Sequence, residues 1–213
     1  MTAPKKHNDR RTISPDALEK LRQTIIRLFS AGTFNDIGVR DICKEAKVSP
    51  QTVYKYFGNK ESLLFACIRE DMDVLYQSVS HAASSGGSVI ERAERCARAF
   101  FGFYESNQAV ARIIFLNIPP VNWVGNEEFT QTILMDSLGN LLTEAQATGL
   151  LSNQPVQLLL DMIAGAAHRV ILRWLTEENS NLSEMTDSFL IILKQNLLSL
   201  GQTTYEARST ATT

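Results

Sequence analysis

Apolar residues recur every three to four positions along most of this chain, which is the spacing of one buried face of an α-helix. The first such segment follows Ser14-Pro15, where serine is a favoured N-cap and proline suits the first helical position. No segment alternates apolar and polar residues with the period of two that a half-buried strand requires. The pattern therefore predicts an all-α protein with helices over 15–31, 39–46, 50–57, 60–80, 89–106, 108–117, 126–148, 154–178 and 182–200.

The third of these helices is short and carries few apolar residues. Ser49-Pro50 predicts its start and Gly58-Asn59 its end, which leaves about two turns. Only Val53 and Phe57 are plainly apolar, so most of its surface has no partner within the chain. Together with the helix before it and the tight Lys47-Val48 connection, it has the dimensions of a helix-turn-helix. The second helix of that motif enters the major groove of DNA.

The charge distribution agrees with a DNA-binding N-terminus. Residues 1–60, the head of the chain, hold 12 Lys and Arg and 6 Asp and Glu, which gives a net charge of +6. Residues 61–213, the body, hold 9 and 17, which gives -8 and a total of -2. A basic head on an acidic body suggests that only the head approaches a polyanion. A chance distribution of surface charge remains the alternative.

Several other classes of site find no support in the sequence. Cys43, Cys67 and Cys96 contain no CxxC pair, so we expect reduced, buried thiols and neither a disulfide framework nor a zinc site. There is no apolar signal segment and no apolar run of about 18 residues, which favours a cytoplasmic protein that joins the nucleoid when bound to DNA. We predict no catalytic residue, metal ligand or cofactor. An all-α enzyme that contains a helix-turn-helix, and a ligand-independent architectural binder, remain alternatives.

The segment LFSAGTFNDIGVRDICKEAKVSPQTVYKYFGNKESLL resembles the N-terminal DNA-binding domain of TetR-family (tetracycline-repressor-like, AcrR-type) transcription regulators. The resemblance covers about residues 17–66 and shows two departures. Lys47 stands where the family usually has glycine, and Val39 stands where a threonine often caps the second helix, so we expect left-handed strain and one missing phosphate contact. The matching positions include Leu28, Phe29, Gly32, Ile42, Ala46, Val48, Ser49, Thr52, Val53, Tyr54, Tyr56, Phe57, Lys60, Leu63 and Leu64.

The candidate DNA contacts follow from residue chemistry and from the resemblance. Gln51 can bond adenine in a bidentate manner, and the methyl group of Thr52 can meet a thymine methyl. Long tyrosine and lysine side chains suit phosphates, and the helix N-terminus at Lys60 also favours an anion. The full set, with two positions added by the resemblance, is Arg40, Pro50, Gln51, Thr52, Tyr54, Lys55, Tyr56 and Lys60.

The resemblance also implies a domain plan: a flexible basic tail over 1–13, a DNA-binding domain over 14–60, a helical ligand-binding and dimerisation domain over 61–200, and a loose tail over 201–213. Family members are mostly repressors that leave DNA when a small molecule binds. We therefore expect a ligand-responsive repressor, with activation as the alternative. Whether the basic tail contacts the DNA minor groove stays open.

Aromatic and sulfur-containing side chains in the second domain are candidates for a ligand pocket, with ordinary core packing as the alternative. A faint resemblance to fatty-acid-responsive members favours an acyl compound or another hydrophobic effector. His168-Arg169 and Arg173 either orient an anionic head group or pair with acidic residues. The pocket candidates are Phe100, Phe103, Tyr104, Phe115, Trp123, Met135, Met162 and His168.

The last two predicted helices carry a long apolar stripe that indicates a homodimer interface or, alternatively, a cover for the protein's own core. Two-fold pairing would place two reading helices about 34–36 Å apart and predicts a palindromic operator. Effector binding would then move the helix over 60–80 and change that separation. The interface candidates are Ala166, Val170, Trp174, Phe189, Ile192, Leu193 and Asn196.

Overall fold

A computed structural model of the chain describes residues 13–31, 37–118, 131–151 and 154–195, and within these ranges it contains helices and no strand. The all-α prediction is confirmed for this part of the chain. The helices are α1 Pro15–Ala31, α2 Val39–Ala46, α3 Pro50–Phe57, α4 Lys60–Ser84, α5 Val89–Ser106, α6 Gln108–Arg112 continued by a π-helical turn Ile113–Asn117, α7 Gln131–Ala147, α8 Val156–Thr176 and α9 over 182–195.

The structure corrects two details of the predicted helices. The segment 108–117 is not a uniform α-helix, because its second half winds as a π-helical turn. The helix predicted over 60–80 extends to Ser84, and Arg95 holds the turn after it: its Nε donates to Ser85 Oγ at 3.1 Å and its guanidinium to Gly86 O at 2.5 Å. Residues 1–12 and 201–213 of the predicted tails, and the predicted helix residues over 126–130 and 196–200, lie outside the described residues.

The chain divides into two compact units, one up to Ile68 and one from Arg69 onward. In the first unit, α1 packs on α2 and α2 packs on α3. The buried apolar residues of α1 lie four residues apart, as a helix that presents one face to a core requires. The fully buried side chains of this unit are Leu21, Ile25, Phe29, Ile42, Val53, Leu63, Leu64 and Ile68.

In the second unit, α7 packs on α5 and α8, and α6 with its π-helical turn packs on α8. Phe101 of α5, Ile171 of α8 and Leu182 of α9 are among its most buried side chains. Ion pairs join neighbouring helices, including Arg92 with Glu144, Arg98 with Asp187 at 2.8 Å and Lys194 with Glu94 at 2.5 Å. Partly exposed pairs of this kind contribute little to stability, so the buried apolar side chains hold this unit together.

All three cysteines are buried and unpaired, which agrees with the expected reduced thiols. Burial raises the pKa of Cys67 to about 12 and that of Cys96 to about 11, so both thiols stay protonated near neutral pH. None of the described helices is long and apolar enough to cross a membrane.

Candidate DNA-binding surface

The turn between α2 and α3 is tight because Lys47 adopts a left-handed conformation, with φ 55° and ψ 37°. This geometry lets the Val48 N–H donate to Cys43 O at 3.0 Å and closes the end of α2. The strain expected from a lysine at a glycine position is therefore present. At the other end of α2, the N-cap is Gly38, and its N–H donates to Asp41 Oδ2 at 2.9 Å, so this carboxylate ties the chain to the first turn of the helix.

Side-chain and backbone caps fix both ends of α3. Ser49 Oγ accepts from the Thr52 N–H at 3.0 Å and lies 2.7 Å from the Thr52 hydroxyl. Gly58 has φ 74°, which favours glycine, and its N–H donates to Tyr54 O at 3.1 Å. Val53 is fully buried and anchors the helix to the unit. The result is a two-turn helix that is fixed at three points and otherwise directed outward.

Most of the predicted contact residues of α3 are on its exposed face. Pro50, Gln51 and Lys55 are exposed, and Tyr54 is 53% exposed despite its large aromatic ring. Tyr56 is partly buried, and Lys55 Nζ lies 5.5 Å from the centre of its ring. Thr52 and Phe57 are also partly buried, and Arg40 is exposed on α2. A row of exposed donors on a rigid helix can meet both base edges and phosphates.

The start of α1 contributes to the same surface. A cleft of about 320 Å³ separates the first turn of α1 from α3, and its walls include Ser14 and Ala17 as well as Gln51, Lys55 and Tyr56. Sequence reasoning placed none of the α1 residues at the DNA-binding surface. The Ser14-Pro15 signal marked the start of the helix, but its position beside α3 depends on tertiary packing.

Lys60 makes a contact that the sequence did not predict. Its Nζ donates to the carbonyl oxygen of Ile37 at 2.8 Å and lies 5.8 Å from the centre of the Phe29 ring. Burial lowers the pKa of Lys60. The ammonium group therefore closes the loop before α2, and this contact competes with the phosphate contact proposed from its position.

Aromatic side chains of the predicted pocket come together in the second unit. Tyr104 is 2% exposed and packs edge-to-face on Phe100, Phe103 and Phe115, with ring centres 5.0–5.2 Å apart. Phe115 also packs on His168, with ring centres 5.0 Å apart. Burial raises the pKa of Tyr104 well above its ordinary value and lowers the pKa of His168. These five predicted residues form the aromatic cluster, which joins α5, the π-helical turn and α8.

The other polar and pocket candidates separate from this cluster. Met162 is 62% exposed on α8, because its position faces away from the core, so the structure places it on the surface and not in an enclosed pocket. Met135 is partly buried on α7, and Trp123 lies outside the described residues. Arg173 donates two hydrogen bonds of 3.1 Å to Glu177, which favours acid pairing over an effector contact for this residue.

The predicted interface residues also divide into two groups. Phe189 packs edge-to-face on Phe101 with ring centres 5.2 Å apart, so part of its ring covers the protein's own core, which is the alternative given for this stripe. Ile192 is 59% exposed and Ala166 is exposed. Leu158, Met162 and Ile191 add further exposed apolar surface on α8 and α9. Val170, Trp174 and Leu193 are partly buried, and Asn196 lies outside the described residues.

The arrangement defines a class of protein: an N-terminal helix-turn-helix unit followed by a separate helical unit. Within the described residues, no group of three His, Cys, Asp or Glu side chains could hold a metal ion. Residues 21–67 match the family model described as bacterial regulatory proteins, tetR family. The N-terminal unit therefore matches the DNA-binding domain of the TetR family of regulators.

Individual relatives agree with this assignment. The chain is 30% identical over 82 residues to the HTH-type transcriptional regulator HbdR of Aromatoleum sp. (strain CIB), and this match spans 37% of the chain and 36% of HbdR. Its fold matches the fatty acid degradation regulator FadR from Bacillus halodurans (TM-score 0.69, 19% identity, 86% and 96% of the two chains). It also matches FadR from Bacillus subtilis in complex with stearoyl-CoA (TM-score 0.64, 20% identity, 82% and 96%). These relatives are regulators rather than enzymes.

Proposed function

We propose that this protein is a homodimeric repressor that binds a palindromic operator through α3 and leaves it when a small hydrophobic effector binds the second unit. The observation that carries the proposal is the exposed face of α3, a helix held by its two caps and by one fully buried side chain, Val53. A two-turn helix is marginal by itself in water. Fixing it rigidly while leaving Gln51, Tyr54 and Lys55 exposed makes sense for a helix whose partner is DNA.

Each exposed residue of α3 receives a role that its chemistry allows. Gln51, in the first turn, reads a base edge in the major groove, and the methyl group of Thr52 contacts a thymine methyl. Tyr54, Tyr56 and Lys55 hold phosphates and set the register of the helix on the duplex. Arg40 of α2 and Pro50 lie beside them at positions implied by the family resemblance. The DNA-binding domain then spans 14–60 and the regulatory domain 61–200.

An acyl compound is the effector class that we favour. The aromatic cluster supplies apolar surface where α5, the π-helical turn and α8 meet, and apolar walls with few polar groups are typical of ligand sites. The names of two proteins with the same fold refer to fatty acid degradation and to a complex with stearoyl-CoA. A long-chain acyl-CoA is therefore the first compound to test.

A second copy of the chain is the partner that we propose for the exposed apolar residues of α8 and α9. Met162, Ile191 and Ile192 are each more than half exposed, and several exposed apolar side chains on two helices are typical of a surface that another protein covers. Ala166, a small exposed residue on α8, allows another helix to approach closely. Two-fold pairing of this surface would give two copies of α3 and hence a palindromic operator.

The proposal is tested by gel-shift titration against the DNA that flanks the protein's own gene, with unrelated DNA as competitor. We expect tight binding to a palindrome, loss of specificity in Gln51→Ala, and release on addition of stearoyl-CoA. Gln77→Ala is the matched control, because Gln77 is an equally exposed helical glutamine in the second unit. Weak binding that is equal on all DNA and disappears with added salt would contradict the proposal, because only the electrostatic contribution would remain.

A further inference from the structure

A polar atom without a partner is buried in the π-helical turn of the second unit. Asn117 is 5% exposed, and its Nδ2 donates to Arg112 O at 2.5 Å, which fixes the orientation of the side-chain amide. Among the residues that the structure describes, its Oδ1 accepts no hydrogen bond. A buried acceptor without a partner destabilises a fold, and native proteins retain few of them. Such an atom suggests a donor that arrives from outside the chain.

The surroundings of Asn117 suit a ligand. Its helical neighbours Ile113, Ile114 and Val110 are buried and apolar, so the amide oxygen lies in a region of low polarity, where a single hydrogen bond counts for more than in water. The turn itself is π-helical, a geometry that recurs at functional sites. The same turn carries Phe115 of the aromatic cluster and packs against α8. Asn117 is thus built into the segment that we assign to effector binding.

We propose that Asn117 Oδ1 accepts a hydrogen bond from an N–H or O–H group of the effector and thereby selects among apolar compounds. This inference rests on the proposed function, because it assigns the polar contact of the same effector site. An amide oxygen can only accept a hydrogen bond, so it favours binding of a compound that carries a hydrogen-bond donor on its apolar body. Amides and alcohols carry such a donor, whereas an ester or an ionised carboxylate does not.

The test measures the dissociation constants of two probes with the same alkyl chain, N-methyldodecanamide and methyl dodecanoate, which differ in one N–H donor. Each probe is titrated into the wild-type protein, Asn117→Leu and Thr186→Val. Thr186 is the matched control: it is 4% exposed, and its hydroxyl already donates to Leu182 O at 2.8 Å. Asn117→Ala serves in place of Asn117→Leu if the larger side chain prevents folding.

We expect the ratio of the two dissociation constants to shift roughly three- to tenfold against the amide in Asn117→Leu, the range that one neutral hydrogen bond typically supplies. Thr186→Val should keep the wild-type ratio. Unliganded Asn117→Leu should melt close to the wild type, because loss of the unpaired buried acceptor offsets loss of the hydrogen bond to Arg112 O. If both probes bind and the ratio is the same in all variants, the role of Asn117 is overturned while the effector site stands. If neither probe binds the wild type although stearoyl-CoA does, the role of Asn117 is overturned while the effector site stands. If stearoyl-CoA does not bind either, both proposals are overturned.

Discussion

Replacing Lys47 with glycine should stabilise the DNA-binding unit, although the change removes a side chain and adds none. Lys47 has φ 55°, and the left-handed conformation costs a residue with a Cβ atom about 1–2 kcal/mol. Glycine avoids that cost but gives the unfolded chain more conformational freedom, which offsets roughly 0.5–1 kcal/mol. The net expectation for Lys47→Gly is a gain of about 0.5–1 kcal/mol in the free energy of unfolding.

The matched control is Lys44→Gly, because Lys44 is an equally exposed lysine with ordinary helical geometry inside α2. Glycine in a helix is about 1 kcal/mol less favourable than a residue such as alanine, so this variant should be destabilised. Both variants lose one positive charge, so the difference between them isolates the backbone conformation. Urea unfolding followed by circular dichroism at one protein concentration gives both values. A loss of stability in Lys47→Gly as large as that in Lys44→Gly would refute the assignment of strain to this turn.

Three further predictions concern individual contacts. Ser49→Ala removes the acceptor for the Thr52 N–H, so it should lower the free energy of unfolding by about 1 kcal/mol and also weaken operator binding. An unchanged midpoint in urea unfolding would contradict the role of the cap. Lys60→Met leaves the Ile37 carbonyl without its donor and should lower the free energy of unfolding by about 1–3 kcal/mol. The slope of the logarithm of the DNA-binding constant against the logarithm of the salt concentration should not change. A slope smaller by about one would instead indicate that Lys60 contacts a phosphate. Burial lowers the pKa of His168, so the folded state disfavours protonation of this side chain. Its contribution to the free energy of unfolding is therefore fully present above about pH 6.5 and is lost as the pH falls through the lowered pKa of the folded state. His168→Phe should weaken that acid loss in melting curves taken against pH, and an unchanged acid limb would exclude His168 as its source.

Local signals were enough to predict the DNA-binding unit. The cap-then-proline pairs placed the starts of α1 and α3, and Gly58 placed the end of α3, because the residues that determine these boundaries are neighbours in the chain. The left-handed conformation of Lys47 was predicted from the family resemblance instead, because glycine usually stands at this position of the turn. The exposure of Gln51 and Lys55 followed from a helix that had only two plainly apolar positions.

Contacts between residues far apart in the chain could not be predicted from the sequence. The bond from Lys60 to Ile37 joins positions 23 residues apart, and nothing in either segment identifies the other. Phe189 and Met162 occupy similar apolar patterns, yet one packs on Phe101 while the other is exposed, because the packing of whole helices decides which face is covered. The π-helical turn ending at Asn117 likewise has no periodic signal of its own.

The central claim is that the exposed face of α3 reads a DNA sequence, and selection of binding sites from random double-stranded DNA tests it most directly. The wild-type protein and Gln51→Ala are each taken through the same rounds of selection, and the enriched sequences are compared. We expect the wild type to enrich one palindromic site and Gln51→Ala to lose preference at the base pairs that Gln51 contacts in each half-site. Enrichment of no sequence by the wild type, or of an identical sequence by both proteins, would contradict this claim.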